Sequence, residues 1–568
     1  MLSVTYKLAV LIILLTTLLI SCMLYDIKIK RCAAITVKES YRICDFVCSL
    51  NITGGNMFLK KRGVLFSIVS VAIIMGVMAF PSAKAGSPVR GGTLNVGFPS
   101  DTKTLDPMFS VQFTERQVLY LVYNTLTKLG PDFSINPELA TKWNVQNGGK
   151  KIVFHLQKGV KFHDGTNFDA DAVKWNIDQR LDEKVGSRQR KQLAPVIDSV
   201  EVQDKHTVVF NLKKPFPALL GMLGQRAGFM VSPSAAKKWG KDFGSHPVGT
   251  GAFRFKEWVR GSHILVERNN EYWEKGLPHL DAVNFKDTSG SVVGLQSLKT
   301  GELDYVGQLS PNDIRPIANS ADIDLYRATV GRWYSLQWHV YEPPFDDVNL
   351  RKAIAHAIDR KRIVQITMAG KAEIANGPTP PGLWWYDGSI KSYSYDLVKS
   401  KQYLAKSKYK PGTELILYSS TASIYKQISQ LVQEQLALAG ITAKIKPVSR
   451  KEWYGRVVKR LVNFTPTRWT QRPDPDGLLY ILFHSKGYAN STGYVNPKVD
   501  ALLDEARGTG DLSVRKPLYS KIQKHLIEDI PNIPLFFAVE YGAARKSVKG
   551  FEWIADQIPR FRELWKTN

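Results

Sequence analysis

After residue 50 the sequence contains no cysteine; all four, Cys22, Cys32, Cys44 and Cys48, lie before that point. Disulfides, thiolate metal sites and catalytic thiols are therefore excluded from the rest of the chain. The signatures of several enzyme classes are also missing. There is no G-x-S-x-G nucleophile elbow, no H-E-x-x-H zinc helix and no phosphate-binding P-loop. Gly249-Thr250-Gly251 lacks the remainder of a dinucleotide fingerprint. The ten histidines are scattered without the paired spacing that ligands on one helix face need, so no metal and no cofactor are expected. No long low-complexity tract occurs, and 44% hydrophobic, 11% aromatic and 23% charged residues describe a globular chain. At 568 residues it is long enough for two or three domains with sizeable cores.

Acidic residues are short relative to basic ones, 51 against 77, a formal charge of +26. Ten of the basic and three of the acidic residues precede Gly86, which leaves +19 on 86–568. The basic residues are dispersed, as on a solvated surface, and attraction to an anionic cargo or membrane surface is the second reading. The N-terminal region reads as two starts. From Met57, Lys60, Lys61 and Arg62 form a positive region, Val64–Phe80 an apolar core, and Ala83-Lys84-Ala85 a cleavage site. Residues 57–85 are thus expected to be an export signal, 1–56 an upstream extension, and 86–568 the mature protein in the periplasm. The competing reading begins at Met1, where Leu19-Ile20-Ser21-Cys22 resembles a lipobox and makes Cys22 a lipidated anchor. Export argues against a nucleic-acid partner.

Beyond residue 86 strands and helices interleave, the pattern of α/β lobes. Lys151–Leu156 alternates as a half-buried strand, and Lys158–Gly165 carries two glycines and an Asp-Gly turn. Asp169 caps a helix with apolar Ala172, Val173 and Ile177. Gly91–Pro99, Val200–Leu212, His263–Arg268, Ala282–Phe285 and Ile441–Lys446 read as strands. Glu115–Thr127, Asn349–Ile366 and Ser423–Ala439 read as helices, the last closed by Gly440. Gly377–Gly388 is an aromatic loop stiffened by three prolines.

The stretch Phe154–Trp175, with Lys-Gly-Val-Lys-Phe-His-Asp-Gly-Thr running into its helix, resembles the signature of the family 5 extracellular solute-binding proteins. These are the peptide- and nickel-binding group of ABC importers. Further segments resemble the same family in the same order. They are Gly91–Leu94, Pro247–Gly251 with Trp258, Arg268–Trp273, Pro343–Asp347 running into Leu350–Ala353, Gly493–Pro497 and Ile533–Leu535. The resemblance implies an α/β, two-lobed periplasmic binding protein, a Venus flytrap of type II (cluster C) with an inserted subdomain. Lobe I would comprise 86–125, 245–333 and 533–568, the subdomain 126–244, and lobe II 334–532. It further implies a monomer that captures a peptide or other small polar solute between its lobes and delivers it to a membrane permease driven by an ATPase pair. A ligand-delivering sensor is an alternative use of that fold.

Candidate site residues follow from the same comparison. In peptide-binding relatives a Trp in the region of Asn463–His484 precedes an Asp that grips the ligand's ammonium. Here Trp469 is followed by Gln471 and Arg472, so the acceptor carboxylate is replaced by a guanidinium, which suits a carboxylate or phosphate. An anionic or strongly hydrogen-bonding group is expected to face Arg472, the alternative being a surface loop arginine held in a salt bridge. Trp384, Trp385 and Tyr386 in the Pro-stiffened loop, Arg332 at the interlobe crossover, and His339 complete the set. An acid/base reading of His155, His163 and Asp164 gives way to a turn-stabilising one. Asp474 and Asp476 can be drawn as the carboxylate pair of a periplasmic hydrolase, although Pro473-Asp474-Pro475-Asp476-Gly477 also describes a rigid turn.

Overall fold

The strand, turn and helix expected around Phe154 form as read. Lys151–Leu156 is a strand, and Asp169 accepts a hydrogen bond from the Ala172 N–H at the start of helix Ala170–Leu181. The computed structural model describes residues 87–567 apart from Ser100 and Ser289. The expected extension, export signal, Met57 start and Cys22 anchor lie outside the described residues. Two helices depart from the periodicity reading. The first runs Phe113–Val122, because Tyr123 turns extended and Thr127–Leu129 instead pairs with Ile135–Pro137 in a hairpin. The second is two helices, Val348–Ala357 and Arg360–Thr367. Ile358 is extended and Asp359 caps the new start by accepting from the Arg362 N–H, so a capping side chain overrides continuous apolar spacing.

Nine strands form one mixed sheet. Its order is Phe464–Thr470, Ile323–Trp338, Asn532–Arg545, Tyr305–Leu309, Thr93–Phe98, Ala282–Asp287, His263–Arg268 and Phe253–Val259, with Glu373–Ile374 also pairing Asn532–Arg545. Only Thr93–Phe98 pairs in parallel within it, with both of its neighbours. A separate antiparallel sheet of Ala140–Gln146, Lys151–Leu156, Thr207–Leu212 and Ile197–Asp204 carries helix Ala170–Leu181. Leu415–Ser420 and Ala443–Val448 pair in parallel across helix Ser423–Leu438, as a crossover unit does.

Separate apolar cores fill the spaces between these layers. One gathers Val96, Leu119, Phe253, Val283 and Phe561; a second, on the four-stranded sheet, gathers Phe154, Val173, Ile177 and Phe210. A third holds Trp338, Ile354, Val432, Leu482 and Ile522. The two long strands, Ile323–Trp338 and Asn532–Arg545, run from one core to another. Ile323, Val539 and Ala543 pack with Leu298 and Leu303, whereas Trp333, Leu336, Leu535 and Phe536 belong to the third core. The change comes where the register shifts. Thr329 opposes Val539 and Trp333 opposes Phe537, so three residues on one strand face one on the other. Such a bulge bends the strand and re-aims its side chains.

A second tie joins distant segments. Phe133, in the turn of the Thr127–Pro137 hairpin, takes a left-handed conformation at φ 65° and is buried in the third core. It stacks on Trp385 with ring centroids 6.3 Å apart and planes 9° from parallel. A non-glycine residue held at positive φ persists only where its surroundings over-determine it, and this stack does so.

His163 clamps the signature loop to the Pro/Gly-rich turn that follows it in space. Its Nε2 lies 2.9 Å from the Gly251 carbonyl oxygen, and its backbone N–H donates to the Gly249 oxygen at 2.8 Å. Burial pulls its pKa down to about 4, a shift that the Gly251 carbonyl only partly offsets. Burial works against the Asp164 charge, but hydrogen bonds donated by Ser232 and Thr166 outweigh it and hold the carboxyl below its usual range. These residues brace a turn. Because the unfolded ring takes its proton near pH 6.5 and the folded ring near pH 4, this contribution to stability is complete above pH 6.5 and fades as pH falls toward 4. Its size is about 3 kcal/mol. Urea unfolding at pH 7 and at pH 4.5 is expected to show a smaller acid loss for His163→Gln than for the wild type. Equal losses would remove His163 from the account.

Candidate functional site

The bulge in the long strands opens onto a cleft of about 160 Å³. Its wall is built from three separated stretches of chain. Gly331 comes from the crossover strand, Gln471 follows the strand that pairs with it, and Phe133 with Pro131 reaches over from the hairpin turn. Pro380–Leu383 of the stiffened loop and Trp553 with Ala555 close the remaining sides. Gly331 and Gln471 are locked together, since the Gln471 N–H donates to the Gly331 oxygen and its side-chain amide donates to the Pro378 oxygen. The Trp553 Nε1 and the Oγ1 of Thr379, beside the loop, are buried without hydrogen-bond partners. An apolar cleft with a few convergent polar groups is the usual form of a small-molecule site.

The structure brings some of the expected residues to this place and moves others away. Gln471 lines the cleft, and Arg472 follows it, exposed and without a hydrogen bond or ion pair among the described residues. Trp469 pairs across the sheet with Trp333 and is half-buried against the third core. Arg332 opposes Thr470 and forms an ion pair with Glu540. Burial raises the Glu540 carboxyl, against the pull of Arg332 and Arg468. Trp385 is only 1% exposed and serves the core. Trp384 packs on Trp385 and Tyr519, with Arg515 over its ring at 5.3 Å. Tyr386 is half-buried beside Gly388, outside the cleft wall. His339 follows the far end of the crossover strand, about 20 Å along it from Arg332, and packs against Gly493. Apolar Pro380–Leu383, rather than the aromatic end of the loop, faces the cleft.

Asp474 and Asp476 are fully engaged. Arg515 grips Asp474 with two bonds of 2.7 Å, and Arg507 grips Asp476 at 2.7 and 2.9 Å. Burial opposes the Arg515 charge, yet Asp474 more than compensates and raises its pKa above the ordinary value. For Asp476 burial dominates, and the carboxyl is raised despite Arg507. Asp474 also caps the turn by accepting from the Asp476 N–H at 2.9 Å. The pair holds a turn to two helices, Pro497–Arg507 and Leu512–Asp529. Among the described residues no group of three or more His, Cys, Asp or Glu could hold a metal ion, and no helix is long and apolar enough to cross a membrane.

The profile of the bacterial extracellular solute-binding proteins, family 5, matches residues 134–490. The chain belongs to this family. It is 30% identical over 498 residues to the glutathione-binding protein GsiB of Salmonella paratyphi A, covering 86% of this chain and 96% of the relative. Among solved structures, HbpA2 from Haemophilus parasuis superposes with a TM-score of 0.79 at 22% identity, covering 84% of this chain and all of the other. The binding protein AgaA of A. tumefaciens R10, in complex with agropinic acid, superposes with a TM-score of 0.66 at 27% identity, covering 84% and 99%. The fold is thus the two-lobed α/β architecture of periplasmic binding proteins, and the chain is the solute-binding component of an importer. Members of this family are binding proteins and not enzymes, which removes the hydrolase reading of Asp474 and Asp476.

Sequence reasoning missed Phe133, Trp553 and Ala555. Phe133 carries no local signal, because its importance rests on a left-handed turn and a stack with a residue 252 positions away. The Asp-Pro-Asp turn did signal structure, and its arginines lie 31 and 41 positions further along the chain, beyond any local pattern. Asp474→Asn leaves the buried Arg515 with half its grip and no countercharge, and is expected to cost about 3–5 kcal/mol in urea unfolding. A loss below 1 kcal/mol would show that the pair does not hold the turn.

Proposed function

We propose that this solute-binding protein captures a small polar solute bearing an anionic group, a peptide or peptide-like acid, in the cleft between Gly331, Gln471, Phe133 and Pro380–Leu383. Arg472 is the carrying observation: an exposed guanidinium without a countercharge, one residue beyond a buried cleft residue. The relatives' names support this chemistry, since glutathione carries two carboxylates and agropinic acid is an acid. Lobe I is assigned to 86–125, 245–333 and the end of the chain, the subdomain to 126–244, and lobe II to 334–532. The strand Asn532–Arg545 is shared between the lobes' cores, so the C-terminal segment contributes to both. A solute touching both lobes favours the state in which they approach, by the difference in its affinity for the two states. That state would dock as a monomer on a permease driven by an ATPase pair, after export directed by residues 57–85 and cleavage following Ala85. Trp469, Trp384 and Arg332 shape the cleft from behind.

Native mass spectrometry of the protein as purified, followed by a thermal-shift panel of peptides and organic acids, tests the reading. A bound solute at a hundred times its Kd stabilises by about 2.7 kcal/mol, which is about two to three degrees of Tm for a chain of this size. At least one acidic solute is expected to give that shift, and Arg472→Ala is expected to weaken its binding about tenfold or more, which roughly halves the shift at the same concentration. A panel in which only uncharged solutes shift the Tm would overturn the cargo class.

A further inference from the structure

Arg472 does not stand alone. Helix Phe113–Val122 carries Arg116 one turn before Tyr120, so both lie on one face. Tyr120 stacks under Arg560 at 3.5 Å, and Asp556 holds Arg560 with bonds of 2.7 and 3.3 Å. Arg226, from the Arg226–Gly228 turn, donates to the Val111 oxygen at 2.9 Å, which fixes it beside the start of the Arg116 helix. The short helix Ala218–Met222, just before Arg226, abuts Pro473, the residue after Arg472: a Cβ on Gly221 would meet the Pro473 ring at 2.9 Å. Three arginines from three remote parts of the chain therefore converge. They stand beside the cleft, since Gln471 and Ala555, two of its lining residues, adjoin Arg472 and Asp556.

Their countercharges are missing. Arg116, Arg226 and Arg472 form no ion pair among the described residues, and the Nε atoms of Arg116 and Arg226 are buried without a hydrogen-bond partner. The neighbouring carboxylates are already committed. Glu115 accepts from the Val111 and Gln112 N–H groups, Asp556 is held by Arg560, and Glu138 is held by Arg562. Four guanidiniums, counting Arg560, thus face two carboxylates, Glu115 and Asp556, which leaves about two positive charges unneutralised. Burial lowers Arg116, with repulsion from Arg560 and Arg472 added against the support of Asp556. Arg226 falls to about 10, first by burial and then by repulsion from Arg116. Elsewhere Arg507, Arg515 and Arg562 are matched by carboxylates, whereas the buried Arg180 and Arg351 donate to backbone carbonyls instead.

Resting on the functional reading above, we propose that Arg116, Arg226 and Arg472 form one anion subsite beside the cleft, built for a doubly negative group or two neighbouring carboxylates. The bound anion supplies the countercharge the protein withholds, and by bridging Arg472 to Arg116 and Arg226 it ties elements of both lobes to one ligand. Without it the three guanidiniums repel across that junction. Charge-assisted, bidentate bonds to the half-buried Arg116 and Arg226 and the exposed Arg472 give both affinity and direction.

Calorimetric titration of the wild type and of Arg116→Gln, Arg226→Gln and Arg472→Gln tests this. The probes are S-methylglutathione, its diester with both carboxylates capped, inorganic phosphate and tri-alanine amide. The free acid is expected to bind the wild type on the order of ten- to a hundredfold more tightly than the diester. Each substitution is expected to remove that preference, weakening the free acid far more than the diester. Melting of the unliganded variants is expected to stay level or rise, because a repulsive charge has been removed. A variant that keeps the full preference for the free acid overturns the subsite, as does one whose unliganded Tm falls by many degrees, which marks a structural brace. If tri-alanine amide binds and neither anion does, the subsite fails and the transport reading stands. If no probe binds, both the subsite and the proposed cargo class fail.

Discussion

Two strands, Ile323–Trp338 and Asn532–Arg545, pair antiparallel over nearly their whole length while serving different cores at their two ends. A backbone ladder is stiff along its strands and resists sliding, since a one-residue slip would send every side chain to the wrong face. It tolerates bending where a bulge interrupts it. The bulge opposite Ala538 is therefore the place where the two halves of the sheet bend relative to one another. Gly331 and Arg332 sit in that bulge, and Gln471 is tied to it. The cleft lies at the bend for this reason.

Arginine chemistry divides the molecule into matched and unmatched charges. Where a turn must be rigid, as at Pro473–Gly477, carboxylate and guanidinium are matched with two bonds each. Such buried pairs add little net stability over apolar packing, but losing one partner is costly, so they hold geometry firmly. Immediately beside that turn Arg472 is unmatched, and so are Arg116 and Arg226. In the proposed subsite the rigid turn aims this charge, and a bound anion would supply its partner.

The family and architecture were legible because their signals are local. A capped helix after an Asp-Gly turn, and short motifs in a fixed order, survive without knowledge of tertiary contacts, and the superpositions bear them out. Arg472 and Gln471 were legible as a departure from the family's pattern at one point in the sequence. Phe133, Arg116 and Arg226 were not, because their meaning depends on segments brought together by the hairpin turn and by the packing of Ala218–Met222 on Pro473. Trp385 looked like a cleft aromatic by position in its loop, and the loop turns its prolines outward and this ring inward. The helix boundary at Asp359 escaped for a simpler reason. Apolar spacing continued through a residue whose side chain terminates the run.

The central claim is that a solute draws the lobes together about the bulge. Residues 86–568 hold no native thiol, so spin labels on cysteines introduced at the exposed positions Lys158 and Lys426 report the distance between the subdomain and the second lobe without background. Pulsed electron resonance with and without a saturating solute from the thermal-shift panel is the direct measurement. A shift to one shorter, narrower distance distribution on binding is predicted. Calorimetrically proven binding with an unchanged distribution would contradict the account.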